Sequence, residues 1–419
     1  MTISGGEFGL IDRIRQWIGA GGEDVALGIG DDAALIFPPP GKILAACDML
    51  VEGVHFKREY ASPWQLGWKA LAVNISDIAA MGGAPLFALV SMGLADWVDD
   101  AYVEGIYKGM LDIAQRFGVK LVGGDTVSSP RAMVLNIAIL GSADSPVTRA
   151  GAVPGHLIAV TGCLGKSAAG LACLQKMGHE QGLTWRHTRD AKSVVTPPVQ
   201  SRAQPKEQAG AQPGAGPRVQ QGLQAGVQPE IQLRGVSRIE DTQARPSHSQ
   251  DLAERGALSP DLESGAAWID ELIKAHLEPV PRVPEGYALA STGVVGAMMD
   301  ISDGLAGDVR HVARESKVGV VLREDAVPIS ESTLLAAKLL ECDPLEWALS
   351  GGEDFELVFT FPPEFADAIR DALSHVGGSM HIVGHITTET EGVILVGSDG
   401  TKRNLAVKGY DHFGGTLIC

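Results

Sequence analysis

The sequence predicts an α/β protein of two domains, and three observations carry that prediction. Short apolar runs of strand length alternate with longer stretches whose apolar residues recur at helical spacing. The alternation breaks at Gly and Pro around Arg149 to Gly155 and resumes with the apolar run HLIAVTG, which places a boundary near residue 152. The 419 residues, 45% of them hydrophobic, supply enough apolar material for two cores. The expected domains are 1–152 and 153–419, the second interrupted by an insertion over 179–265.

A first helix is expected at Leu10 to Ile18, where Leu10, Ile11, Ile14, Trp17 and Ile18 share one face. The strand KILAACD then ends on Asp48. Ser62 and Pro63 supply an N-cap and a first-turn proline for a helix running to about Met81, closed by Gly82 and Gly83. On it Asn74 and Asp77, three apart, share a face. Leu86 to Leu94 reads as a strand, Asp99 to Phe117 as a helix, and Val119 to Val122 and Ala132 to Gly141 as strands. After HLIAVTG and a helix comes the insertion. A helix then begins at Ala266-Ala267-Trp268-Ile269 and leads to HLEPVPR. Beyond it follow a helix after Ser302, the strand VGVVL, a helix from Glu331, the strand ELVFTF, a helix after Pro363, and strands near His381 and Val393. Ile-Ser-Asp occurs at Ile75 to Asp77 and at Ile301 to Asp303, both expected on helices, which hints at an internal duplication.

The insertion is rich in Gln, Pro, Gly, Ala and Arg, and between Arg186 and Ala267 no Phe, Trp or Tyr occurs. Such a composition buries too little apolar surface to offset its ordering entropy, so disorder is expected. The net charge of −17 argues against a nucleic-acid backbone or an anionic membrane as partner. Cys47, Cys163, Cys173, Cys342 and Cys419 show no CxxC spacing, so neither a zinc site nor a disulfide framework is suggested. No long apolar run opens the chain, which points to a cytoplasmic protein without signal peptide or membrane anchor.

The chemistry lies in aspartates set beside glycine or at the ends of apolar runs. They stand in GIGDD (Gly28 to Asp32), at Asp48, in NISD (Asn74 to Asp77), in GGDT (Gly123 to Thr126) and in DISDG (Asp300 to Gly304). Two like charges at 4 Å repel by about 4 kcal/mol at an effective dielectric of 20, so something positive must gather them. Magnesium, a hard cation held by one or two carboxylates plus substrate phosphates, is the simplest candidate. GIGDDA formally fits a dinucleotide fingerprint, but AALIF, a strand-like run, follows where a helix belongs. For Asp31 and Asp32 an ordinary acidic turn competes with metal binding. TGCLGKS (Thr161 to Ser167) has two residues between its glycines where a phosphate-wrapping P-loop needs four, so it reads as a structural turn.

GGDT offers a tight backbone whose N–H groups face a phosphate and a carboxylate that faces a metal. In DISDG, Ser302 reads as an N-cap and Asp303 as a first-turn residue. GGED (Gly351 to Asp354) is a further acidic turn before a buried strand, with Glu353 a substrate contact or part of the turn. His381 and His385 lie in a strand, where a spacing of four does not join two imidazoles on one metal. No Ser-His-Asp order stands out, which suits phosphoryl transfer. That reaction needs positioning and charge neutralisation more than a protein nucleophile.

Taken together, GEFGLI, GIGDDAAL, VEGVHF, KALAVNISDIAAMG, GGDT, VTRAGAVPG, VTGCLGKSAAGL, DISDGL, WALSGGEDFEL and KGYDHF resemble the thiamine-monophosphate kinases, over nearly the whole chain except the insertion. These belong to the superfamily of aminoimidazole ribonucleotide synthetase. The resemblance implies a two-domain α/β protomer, a homodimer built through the N-terminal sheets, and ATP-dependent phosphorylation of thiamine monophosphate to thiamine diphosphate. It implies magnesium ligands at Asp32, Asp48, Asp77, Asp125, Asp300 and Asp303. Nucleotide contacts are implied at Gly124, Asp125, Arg149 and Ser302, and substrate contacts at His55, Glu353 and Tyr410. Where the family usually carries hydroxyl residues before Asp48, this chain has Ala46 and Cys47, so only the Cys47 backbone carbonyl is expected to contribute there. The C-terminal Cys419 resembles the ending of the hydrogenase-maturation relatives but lacks their Pro-Arg, and is read as incidental.

Overall fold

Two larger β-sheets, one built wholly before residue 152 and one wholly after it, carry the described chain, and a small two-stranded sheet precedes the first of them in sequence. A computed structural model describes residues 3–19, 22–29, 33–181 and 266–405. Asp32, Tyr410, Cys419 and the expected insertion beyond residue 181 lie outside the described residues.

The first half contains α1 (Gly6–Ile18), the short strands β1 (Val25–Leu27) and β2 (Leu35–Ile36), β3 (Lys42–Val51), α2 (Pro63–Ala80), β4 (Ala84–Leu94), α3 (Asp100–Phe117), β5 (Lys120–Ser128) and β6 (Val134–Ala143). Its main sheet has the order β3-β6-β4-β5, with β4 and β5 parallel and the other pairs antiparallel. One face is covered by α2 and α3 around a core that includes Leu71, Ile75, Ile106, Met110, Ile137 and Ile139. The other face is open, and Ile43, Met49, Leu89 and Val127 are exposed on it. Strand alternation explains both faces, since successive side chains point to opposite sides.

The helix α2 starts where Ser62 and Gln65 form a reciprocal capping box ahead of Pro63. It is buried nearly all round, the mark of a helix enclosed by neighbours. It crosses α3 at glycines. A Cβ at Gly109 would stand 1.9 Å from the Trp64 carbonyl oxygen, and one at Gly67 would stand 1.9 Å from that of Ile106. Gly109→Ala is therefore expected to lower the unfolding free energy by about 3 kcal/mol, through forced separation of the helices. The urea midpoint measures it, and a loss below about 0.5 kcal/mol would contradict the close crossing.

The second half contains β7 (Leu157–Val160), α4 (Lys166–Gln181), α5 (Ala266–Leu277), α6 (Val283–Ser291), β8 (Ala297–Asp300), α7 (Leu305–Ser316), β9 (Val318–Arg323), α8 (Glu331–Leu340), α9 (Pro344–Ser350), β10 (Leu357–Phe361), α10 (Ala366–His375), β11 (His381–Thr388), β12 (Val393–Val396) and β13 (Lys402–Asn404). Its seven strands run in the order β13-β12-β9-β11-β7-β10-β8, with β12 and β9 the parallel pair. Both faces are packed: Val160, Met299, Val320 and Val358 belong to one core, and Ala159, Met298, Phe359 and Phe361 to another. That is why β10 is buried along its whole length. The two halves meet along α2. A Cβ at Gly286 in α6 would stand 2.1 Å from the Ala79 carbonyl oxygen, and the Trp68 indole donates to the Pro279 carbonyl at 2.8 Å.

Two expectations are corrected. The strand expected at Val119 to Val122 does not stop before GGDT: β5 runs through it, with Val90 opposite Gly124 and Ser91 opposite Asp125. The pairing continues because Gly124 has no Cβ, which would lie 1.7 Å from the Val90 carbonyl oxygen. Ser302 and Asp303 are not the cap and first turn of a helix either, since α7 starts at Leu305 with Gly304 as N-cap. The segment instead bends at Ser302 and Asp303 and is held there, Ile301 N–H donating to the Glu356 carbonyl, and Glu353 and Phe355 N–H donating to the carbonyls of Ser302 and Ile301. Ile75 to Asp77 is helical and Ile301 to Asp303 is not, so the hint of duplication loses its structural parallel.

Candidate active site

One helix organises the site. Lys69, Ser76 and Asp77 on α2 recur at spacings of seven and eight and share a face, with Asn74 beside them. Asn74 Oδ1 accepts the Asp48 backbone N–H at 3.0 Å, fixing the middle of β3. Ser76 Oγ donates to Asp300 Oδ2 at 2.7 Å, tying the end of β8 to the helix. Asp77 lies against a cleft of about 450 Å³ whose lining includes Ala46, Met81, Arg149, Met299, Asp300 and Glu315.

The carboxylates act on one another. Burial pushes Asp77 up to about 8, with Asp300 and Asp48 pushing the same way and Arg149 opposing. Asp48 is raised by burial and then by Asp303. Asp300, 3% exposed, is raised by burial and held back by the Ser76 hydrogen bond, while Asp48 raises it further. Asp308 is raised well above the carboxylate range by burial, then by Asp303 and Asp300. Its Oδ2 accepts the Asp303 N–H at 3.2 Å, while its Oδ1 is buried without a hydrogen-bond partner. Asp48, Asp77, Asp300 and Asp303 thus stand close enough to act on one another, with Arg149 among them.

Among the described residues, no three His, Cys, Asp or Glu side chains close on one point as a ready-made metal cage. The donor set nevertheless fits a hard divalent cation. It consists of oxygens, it is charged beyond what Arg149 offsets, and it includes a buried, unsatisfied carboxylate oxygen. Magnesium binds in this way, completed by substrate phosphates rather than enclosed by protein.

Asp125 and Cys47 stand elsewhere. The Cys47 thiol contacts Asn136 Oδ1 at 3.1 Å. Asp125 lines a second cleft of about 440 Å³ with Met49, Ser91 and Asn136. Both side chains therefore belong to the open face of the first sheet, opposite the face that carries Asp48. Gly124 is adjacent to Asp125 in β5.

A second group of side chains is built around Glu353. Its N–H donates to the Ser302 carbonyl at 2.7 Å, so GGED and DISDG are zipped together. Lys69 Nζ pairs with its carboxylate at 2.9 Å. Burial raises Glu353, but Lys69, His276 and His55 outweigh it and leave the carboxyl lowered. His55 thus stands near Glu353, its Nδ1 accepting the Val51 N–H at 3.0 Å. Gly352, Glu353 and Phe355 all have positive φ, and for the latter two this is strained backbone of the kind found at functional sites.

TGCLGKS is a strand-to-helix turn, as expected. The Asp354 carboxylate accepts the backbone N–H groups of Gly165 at 2.7 Å and Ser167 at 3.3 Å. The protein's own acid thus occupies the anion-binding position at the N-terminus of α4. Burial still pushes Asp354 up to about 7 despite those bonds.

Sequence reasoning missed Lys69, Ser76, His276, Asp308 and Asp354. Lys69 had a visible signal, a lone cation in the apolar helix stretch, eight residues before Asp77. Ser76 and Asp354 lay inside quoted motifs. Asp308 and His276 are helical residues whose pairing across the chain carries no local signal.

Comparison with known proteins agrees with the two-sheet fold. The model of the AIR synthase related protein, N-terminal domain, matches residues 30–143, and that of the AIR synthase related protein, C-terminal domain, matches residues 261–397. The chain is 32% identical to the thiamine-monophosphate kinase of Escherichia coli O157:H7 over 409 residues, 97% of this chain and 98% of that one. It is 28% identical to the crystal structure of the thiamine-monophosphate kinase from Stenotrophomonas maltophilia K279a, with TM-score 0.64, covering 94% of this chain and 97% of that one. A structure described as AaThiL complexed with AMPPCP and TMP is 27% identical, with TM-score 0.62 and 97% of each chain covered.

Proposed function

We infer the function of this chain from its family: the chain belongs to the thiamine-monophosphate kinases of the AIR synthase related proteins. It is an ATP-dependent kinase that phosphorylates thiamine monophosphate, giving thiamine diphosphate and ADP. The observation that carries the reading on this chain is the cluster of Asp48, Asp77 and Asp300 beside Arg149, joined to Glu353 through the Ser302 carbonyl. Donor-side and acceptor-side groups thereby sit on one framework. The relative complexed with AMPPCP, an ATP analogue, and TMP supports the two substrates.

Arg149 offers the planar cation suited to a nucleotide phosphate, with Ser302 and Gly124 beside the phosphates in the family pattern. The loop carrying Arg149 is fixed by Ser316, whose hydroxyl donates to the Arg149 carbonyl and accepts the N–H groups of Gly151 and Ala152. Asp48, Asp77, Asp300 and Asp303 are the residues that would hold magnesium, with Asp32, Asp125 and the Cys47 carbonyl completing the family's set. When bound, magnesium supplies charge neutralisation between donor and acceptor phosphates. The acceptor, with a second phosphate pKa near 6, is already largely deprotonated at neutral pH, so no protein base is required and the transfer is direct and in line. His55 and Glu353 are the residues that would meet the acceptor, and Tyr410 is assigned to it by the family pattern alone.

The exposed apolar strip of Ile43, Met49, Leu89 and Val127 supports a homodimer closed through the first sheet. That assembly would also cover the face bearing Asp125. Residue 152 is the domain boundary in this reading, with the first domain carrying most of the metal and nucleotide set. No helix among the described residues is long and apolar enough to cross a membrane, and the net charge of −17 disfavours nucleic acid as partner. A cytoplasmic location follows from this reading.

The test is direct. Purified protein with ATP, magnesium and thiamine monophosphate is expected to yield thiamine diphosphate and stoichiometric ADP, and no product from free thiamine. Diphosphate from free thiamine, or none from the monophosphate, would contradict the assignment.

A further inference from the structure

We propose that Lys69 is a positioning residue for the phosphoryl acceptor, acting only through Glu353. The proposal rests on the reading of Glu353 as an acceptor contact. Lys69 projects from α2 with its side chain 3% exposed, and its Nζ lies 2.9 Å from Glu353 Oε1 and 3.0 Å from Oε2. Both oxygens of the carboxylate are thus held by one buried ammonium, while the Glu353 side chain keeps 30% of its surface open.

On the far side, His276 Nδ1 stands 3.3 Å from Oε2 and 3.0 Å from Ser167 Oγ, with the imidazole 7% exposed. Both contacts fall on the same ring nitrogen. Ser167, His276 and Glu353 therefore do not form a nucleophile relay, in which base and orienting acid take opposite nitrogens. They are a brace.

Two features make the brace necessary. Glu353 sits at φ 57 between Gly352 at φ 69 and Phe355 at φ 50, a conformation that persists only when its surroundings hold it. Lys69 in turn is too buried to be left alone, because an uncompensated buried charge is strongly destabilising. Glu353 therefore does not leave Lys69 to meet a cationic ring. It meets the ring while still paired, presenting oxygen lone pairs whose direction Lys69 sets. The charge facing the acceptor is the outer edge of an ion pair, and its direction matters more than its sum.

The experiment compares Lys69→Met, Lys69→Arg, Glu353→Gln and the Lys69→Met/Glu353→Gln double variant in steady-state assays, varying thiamine monophosphate and ATP separately. Lys69→Met is expected to raise KM for thiamine monophosphate at least about tenfold and leave KM for ATP within about twofold, a split that general loss of structure would not produce. Lys69→Arg is expected to recover part of the loss. The double variant, which leaves neither charge unpaired and so guards against failure to fold, is expected to be no worse than Glu353→Gln alone. Additive effects in the double variant, or equal rises in both KM values for Lys69→Met, would overturn the proposal. Wild-type turnover in the same assay checks the underlying reading separately: its absence would overturn that reading and the proposal with it.

Discussion

Asp77→Asn is expected to reduce turnover by about a thousandfold or more while making the ligand-free protein more stable. The two effects have one cause. Asp77 is a buried carboxyl facing Asp300 and Asp48, and in the folded chain it is pushed up to about 8 from an ordinary value of 3.8. A raised folded value means that its contribution to stability is fully present below pH 3.8 and is lost as the pH rises through 8. The advantage of the Asn variant is therefore absent near pH 4 and grows to about 1 to 3 kcal/mol near pH 8. Activity moves the other way, because an amide removes the charge that would hold magnesium against the phosphates. Melting curves at the two pH values together with kcat measure both signs. A variant with more than a tenth of wild-type turnover, or one less stable at pH 8, would contradict this role.

Arg149→Ala is expected to lower kcat/KM for ATP by about two to three orders of magnitude. Arg149 lines the cleft with Asp77 and Asp300 and lowers the values of Asp77, Asp300 and Asp308. Its loss removes a phosphate partner and lets the remaining carboxylates repel one another further. Arg149→Lys is expected to recover only part of the activity, since a point charge does not reproduce a planar fork of donors. Initial rates at varied ATP decide it. A change within threefold would place the nucleotide elsewhere.

The elements that were legible in the sequence are those whose signal is local, whatever the range of the contacts that stabilise them. The helix after Ser62 was readable from its N-cap and first-turn proline, which act within one turn, and β10 from its continuous apolar run, although its strand partners β7 and β8 lie far along the chain. The segment at Ile301 to Asp303 was nonetheless misread. Its helix-start signal is sound, but hydrogen bonds to residues 353–356 override it and move the start to Leu305. The strand was ended too early, at Val122, because the two glycines of GGDT serve close approach to β4, which only the register with Val90 reveals.

At the site, the aspartates were legible because their spacing beside glycine is unusual and their mutual repulsion demands a cation. Lys69 and His276 were not, because their meaning lies in the partner they share, Glu353, and that partner is far along the chain. Asp125 was legible as a residue and not as a location. Its side chain belongs to the open sheet face, which a single chain does not join to Asp48 and Asp77.

The central claim is that carboxylates from β3, α2 and β8 together hold the cations that join donor to acceptor. Anomalous diffraction from crystals grown with manganese in place of magnesium, AMPPCP and thiamine monophosphate tests it directly. The account predicts anomalous peaks within ligand distance of carboxylate oxygens of Asp77 and of Asp48, Asp300 or Asp303, and touching the nucleotide phosphates. Peaks held by the phosphates alone, with those aspartates turned away, would contradict it.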